Sequence, residues 1–138
     1  MTDQQEIIDL TIAYTWALDT KQLDDLRNVF VPDATATLRG VECSGVDAII
    51  ERIGSAINRL DRTQHFLGNH QVVIDGDSAS ARCQLQSQHV KTGTAGGDNF
   101  IVGGHYEDRL VRTPAGWRIA HRTMQQTWSE GNREVTRR

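Results

Sequence analysis

Apolar residues recur at helical spacing from the start of the chain. Ile7, Leu10, Tyr14 and Leu18 share one face, and Ile8, Ile12 and Trp16 widen the stripe. Thr2 or Asp3 is positioned to cap this helix, with Gln5 or Glu6 three residues on, and Asp19-Thr20 ends it. A second, short helix follows, with Leu23, Leu26 and Phe30 on one side and Pro32-Asp33 as its stop. Ala34 to Leu38 reads as a strand, Gly40 as a turn, and Val41 to Cys43 as another short strand. Ser44 is the expected cap of a third helix, whose stripe is Val46, Ile49, Ile50, Ile53, Ile57 and Leu60. From Thr63 the period drops to two, which predicts strands over 63–74, 79–90, 100–113 and 117–128. Asp75-Gly76-Asp77 and Pro114-Ala115-Gly116 make tight turns, and Lys91 to Asn99 a Gly/Thr-rich mobile loop.

Segregated helices followed by an antiparallel meander define an α+β domain over residues 1–128, with 129–138 as a polar C-terminal tail. Gly68, Gly103 and Gly104 inside strands predict sharp bending. The expectation is a cone-shaped α+β barrel, in which three helices from the N-terminal half pack on a strongly curved, mostly antiparallel sheet around a pocket. Strand alternation assigns the faces. Ala81, Cys83, Leu85, Ser87 and His89 point inward, and Arg82, Gln84, Gln86 and Gln88 outward. Thr63, His65, Leu67 and Asn69 share one face of the preceding strand.

At 138 residues the chain is long enough for one core and one internal cavity. A net charge of -3 offers no basic field for nucleic acid or an anionic membrane. No apolar run is long enough to span a bilayer, and the acidic start, Met1-Thr2-Asp3-Gln4-Gln5-Glu6, is unlike a secretion signal. Cys43 and Cys83 make no disulfide framework, so a cytoplasmic location is expected. The five histidines lack metal-ligand spacing, and neither a dinucleotide fingerprint nor a phosphate loop is present, so no metal and no cofactor are expected.

Asp19 is the anomalous residue of the first helix. A carboxylate at a helix C-terminus opposes the macrodipole and needs a cationic or hydrogen-bonding partner. A histidine across the cavity would supply one, and a carboxylate-oriented imidazole makes a general base near neutral pH.

Several segments carry a family likeness: Tyr14-Thr15-Trp16-Ala17-Leu18-Asp19, Phe30-Val31-Pro32-Asp33-Ala34, Arg62-Thr63-Gln64-His65-Phe66-Leu67-Gly68-Asn69, Gly103-Gly104-His105-Tyr106-Glu107-Asp108 and Gly116-Trp117-Arg118-Ile119. With these the chain resembles the SnoaL-like group of the nuclear transport factor 2-like superfamily. Its nearest branch contains scytalone dehydratase, hexachlorocyclohexane dehydrochlorinase and bile acid 7α-dehydratase. The resemblance implies a catalytic dyad of Asp19 and His65, and His89 as the second active-site histidine of the scytalone dehydratase type. It also implies Arg122 as the counterpart of an active-site arginine of the dehydrochlorinase type. The chain departs from both types. Tyr14 stands where the dehydrochlorinase type has lysine, Leu18 where the scytalone dehydratase type has tyrosine, and the latter's second tyrosine is missing near Thr37 or Leu38.

The resulting expectation is a cofactor-independent lyase of the dehydratase kind, eliminating from a small hydrophobic cyclic substrate. Tyr14, His89, His105, Tyr106 and Arg122 are the candidates for binding substrate or stabilising charge. Of His105 and Tyr106, one faces inward, and Arg122 is either a cavity anion-binder or a surface residue. Trp16, Phe66, Leu67, Met124 and Trp128 are the candidate pocket lining, and Lys91 to Asn99 the candidate lid. The alternatives are an isomerase or polyketide cyclase on the same dyad, and a noncatalytic small-molecule binder. A homo-oligomer is expected from the polar outer sheet face, and the resemblance implies a trimer or dimer.

Overall fold

A computed structural model of the protein describes residues 1–137. In chain order it contains helix α1 (Asp3–Asp19), a 3-10 helix (Leu23–Asn28), strands β1 (Phe30–Leu38) and β2 (Val41–Ser44), and helix α2 (Val46–Ile57). Strands β3 (Arg62–Asp75), β4 (Ser78–Val90), β5 (Asn99–Thr113) and β6 (Gly116–Gly131) follow, with a last 3-10 turn at Arg133–Val135. The strands form one six-stranded sheet in the order β2-β1-β6-β5-β4-β3. Every neighbouring pair is antiparallel except β1 and β6, which run parallel. Because β2 and β3 remain edges, the sheet is a cone open along one side rather than a closed barrel.

Thr2 caps α1, its hydroxyl accepting from the Gln5 amide at 3.1 Å, and Ile7, Leu10, Tyr14 and Leu18 are buried as their spacing predicts. The stripe is narrower than expected, for Ile12 is 40% and Trp16 65% exposed. The second helix is a single 3-10 segment, and Pro32-Asp33 does not stop it but lies inside β1. Pro32 is tolerated there because pairing with β6 breaks between Phe30 and Thr35, where no ladder donor is needed. Ser44 ends β2, so Gly45, with φ of 92°, stands at the start of α2 in its place.

The core lies between the two α-helices and the concave face of the sheet, with Phe30, Ile49, Leu110, Trp117 and Ile119 among its fully buried side chains. Backbones approach most closely where β5 meets β6. A Cβ on Gly104 would stand 2.1 Å from the Gln125 carbonyl oxygen, and one on Gly103 would stand 2.0 Å from the Trp128 indole. Pairing slips between these two glycines. A second slip, between Gly68 and Gln71 in β3, contains Asn69 with φ of 56°. It breaks the alternation, leaving Asn69 exposed and turning His70 toward α1, where its Nε2 lies 2.9 Å from the Thr11 hydroxyl.

Two sequence expectations change at the C-terminal end. Strand β6 continues past Trp128 to Gly131, and Val135 is fully buried, so residues beyond 128 are packed onto the domain. The 91–99 segment is tied down rather than free. The amides of Gly93 and Thr94 donate to the Asp98 carboxylate, and Asn132 Nδ2 donates to the carbonyls of Ala95 and Gly97. It is not among the residues that line the central cavity. Among the described residues, no helix is long and apolar enough to cross a membrane.

Candidate active site

The concave face of the sheet and the two α-helices border a cavity of about 360 Å³. Tyr14 and Leu18 reach it from α1, and Arg52, Ile53, Ala56 and Ile57 from α2. The strands contribute His65 from β3, Leu85, Ser87 and His89 from β4, Val102 and Tyr106 from β5, and Met124 from β6. Leu38, Arg39 and Thr136 complete the wall. The lining is mixed, apolar with a few convergent polar groups, as small-molecule sites are.

Asp19 and His65 meet. The His65 Nδ1–H donates to Asp19 Oδ1 at 2.6 Å, the His65 amide to Oδ2 at 2.9 Å, and the Thr63 hydroxyl to Oδ1 at 3.0 Å. These three donors answer the unfavourable helix C-terminus. Burial works to raise the Asp19 pKa, yet the hydrogen bonds from His65 and Thr63 outweigh it and hold the carboxyl below its ordinary value. Asp19 itself lies behind the imidazole, in an outer groove formed with Trp16, Thr63 and Phe66. Only the ring of His65, with its side chain 6% exposed, reaches the cavity wall. With Nδ1 committed to a carboxylate, Nε2 is the ring nitrogen left uncommitted among the described residues.

His89 lies beside it, the two imidazole centroids 6.4 Å apart. Its Nδ1–H donates to the Phe100 carbonyl at 3.1 Å. Burial, reinforced by the neighbouring His65, pushes its pKa down to about 4, so His89 is neutral near pH 7 and offers Nε2 as an acceptor. Tyr106 faces the cavity, with its ring edge-to-face against Tyr14 at 5.5 Å. Burial raises both phenol pKa values, so each hydroxyl stays protonated as a donor.

The other candidates divide. Met124 lines the cavity. His105 points to the outer face of the sheet, 3.9 Å from Glu107, because adjacent strand residues alternate. Trp16, Phe66 and Leu67 line the outer groove instead of the cavity, with Phe66 67% exposed, and Trp128 covers Gly103 outside the lining. Arg122 is neither a surface residue nor a cavity anion-binder. It is fully buried and bidentate to Asp108, with Nε and Nη2 donating at 2.8 and 2.9 Å, and its guanidinium lies over the rings of Tyr14 and Tyr106 at 4.3 and 3.9 Å. Alternation placed Ser87 inward from the sequence without assigning it to the site. Arg39, Arg52 and Thr136 escaped notice because their positions depend on a turn, a helix edge and a tail rather than on periodicity. Among the described residues, no group of three or more histidine, cysteine or acidic side chains is gathered to hold a metal ion.

Comparison with known proteins places this geometry in context. A family model described as the SnoaL-like domain matches residues 1–123. The chain is 36% identical over 126 residues to the uncharacterized protein Rv2910c of Mycobacterium tuberculosis, covering 88% of this chain and 84% of that one. It is 32% identical to the terrestric acid biosynthesis cluster protein E of Penicillium crustosum, covering 96% and 88%. Among solved structures, the Kfla4162 protein of Kribbella flavida superposes with a TM-score of 0.89 at 24% identity, covering 96% of each chain. A hexachlorocyclohexane dehydrochlorinase (LinA) type 2 superposes at 0.81 with 15% identity, covering 91% and 86%. At those identities the structural likenesses speak for the nuclear transport factor 2-like fold, while the match over residues 1–123 speaks for the family within it. On that match, the chain belongs to the SnoaL-like domain family.

Proposed function

We propose that the protein is a cofactor-independent lyase that eliminates water from a small hydrophobic cyclic hydroxy-carbonyl compound. The reading rests on one observation: His65 is locked by Asp19 at 2.6 Å while its ring borders a mixed-polarity cavity. His65 Nε2 takes the proton from the carbon next to the substrate carbonyl, and Asp19 stabilises the imidazolium that forms. The protonated Tyr14 and Tyr106 hydroxyls, which interact with each other and with Arg122, form the donor pair assigned to the developing enolate oxygen. The β-hydroxyl then departs as its C–O bond breaks and takes the proton back from the His65 imidazolium. The products are an unsaturated carbonyl compound and water, and the base is restored without any external reductant or oxidant. The dehydrochlorinase among the structural relatives also carries the name of an elimination, and the Penicillium relative that of small-molecule biosynthesis, which supports this class.

The test is a panel of cyclic β-hydroxyketones, followed by the ultraviolet absorbance of the enone. Asp19→Asn and His65→Ala should each lower kcat/KM by about 10²–10⁴-fold, with the fold and ligand binding retained. Full activity in both variants would end the dyad reading. Tight binding without turnover by the unaltered protein would establish a binding protein instead.

A further inference from the structure

We propose that Arg39 and Arg52 form an oxyanion clamp at the wall of this cavity, so that the ligand is a hydrophobic ring compound bearing a compact negative group. Both side chains line the cavity, and neither has a carboxylate within ion-pairing distance among the described residues. Four other arginines are committed: Arg27 to Asp47, Arg112 to Asp3, Arg122 to Asp108, and Arg59 to the carbonyls of Thr136 and Arg137. Both arginines border the same hollow, Arg39 from an exposed turn and Arg52 from a half-buried position on α2, and their like charges repel. Loss of water, and then the charge of Arg52, push the Arg39 pKa below its ordinary value.

The backbone carries a second sign. Arg39 and Gly40 form the two-residue turn between β1 and β2, with φ of 52° and 83°. That is a type I′ turn, in which Asn-Gly is the favoured pair and a long side chain at the first position is held against its preference. The Arg39 amide donates to the Met124 carbonyl at 3.2 Å, which ties the turn to another cavity-lining residue. On α2, Arg52 sits one turn before Ala56 and next to Ile53, both of which line the cavity. Its stem can lie along apolar surface while its planar head presents paired donors, the geometry that matches a carboxylate, sulfonate or phosphate.

This inference takes the cavity to be the substrate site, as the lyase reading does, but its test is binding rather than turnover. The probes are 2-naphthoate, 2-naphthalenesulfonate and 2-naphthyl phosphate against neutral 2-naphthamide, titrated calorimetrically at pH 7.5. At least one anion should bind about tenfold or more tightly than the amide, a preference weakened by salt, and the order of the three identifies the oxyanion. The preference should persist in His65→Ala, which separates its fate from that of the lyase reading, and vanish in Arg39→Asn combined with Arg52→Gln. Arg39→Asn alone should raise Tm, by on the order of 3 °C, because asparagine suits the turn. Anions binding no better than the amide, including no binding at all, overturn the proposal, as does a preference that survives the double variant.

Discussion

Two carboxylates, Asp108 and Asp19, are each held by a basic side chain at similar distance, yet the two contacts are put to different use. Asp108 and Arg122 are sealed, with side chains 1% and 0% exposed, and are joined by two hydrogen bonds across β5 and β6. Asp19 and His65 link a helix end to β3, and the imidazole keeps one nitrogen uncommitted at the cavity wall. The first pair has almost no valence left: Arg122 Nη1 alone lacks a hydrogen-bond partner, and the guanidinium is covered by the faces of Tyr14 and Tyr106. A pair with both members spent holds structure, here by fixing two cavity tyrosines, whereas a pair with one free nitrogen is available for chemistry. The arginines repeat the contrast, since Arg122 is paired and buried while Arg39 and Arg52, among the described residues, have no ion-pair partner at the wall.

That difference predicts a graded set of effects. Arg122→Ala strands a buried carboxylate and should cost about 3–5 kcal/mol of stability, read by urea denaturation. Replacing both partners together, Asp108→Leu with Arg122→Met, should cost less than either single change. A joint loss equal to the sum of the two single losses would contradict the account of a sealed, coupled pair.

The histidines give the next effect. In the folded protein His89 titrates at about 4, against 6.5 for an ordinary histidine, so between these values the unfolded chain binds more protons than the folded one. Stability is therefore greatest above pH 6.5 and falls as the pH drops toward 4, by roughly 3 kcal/mol at most from this group. Asp19, held below its ordinary value, extends the loss to still lower pH. Thermal melts from pH 7.5 to 4 should show the decline, and His89→Gln should reduce it, leaving the smaller share of His70, whose pKa burial also lowers. An unchanged slope in that variant would remove His89 as its source.

Asp19→Asn should cost only about 1–2 kcal/mol, well below Arg122→Ala, while nearly abolishing any turnover. Thr63→Val removes the third donor to Asp19 and should cost about 0.5–1 kcal/mol, with a modest drop in activity. A Thr63→Val variant less stable than Asp19→Asn would invert the proposed order.

Much of this arrangement was legible in the residues. The strict alternation of β4 put Ser87 and His89 inside and the glutamines outside, and the helix-end Asp19 called for a partner that β3 supplies. What escaped prediction lay where short-range period does not govern position. Asn69 shifts the phase of β3, so alternation read through it fails for the residues beyond. Arg122 appeared as a charge of uncertain face because β6 is mixed on both sides, and its burial depends on Asp108 arriving from the neighbouring strand. Trp16 and Phe66 have the composition of pocket residues but border a groove outside the cavity, since hydrophobicity alone does not say which side of a helix or strand the hollow is on.

The parallel partnership of β1 with β6 bears on how the molecule is made. Phe30 pairs with Ile119 and Leu38 with Met124, so the first strand has no neighbour on that flank until the last one exists. During synthesis the β1–β2 hairpin, with Arg39 at its tip, must wait with its inner edge uncovered while β3, β4 and β5 can already zip together locally. A ribosome stalled before β6 emerges would therefore hold a half-built sheet, prone to sticking through an unsatisfied edge. Completion of the hollow and protection from aggregation arrive in the same late step.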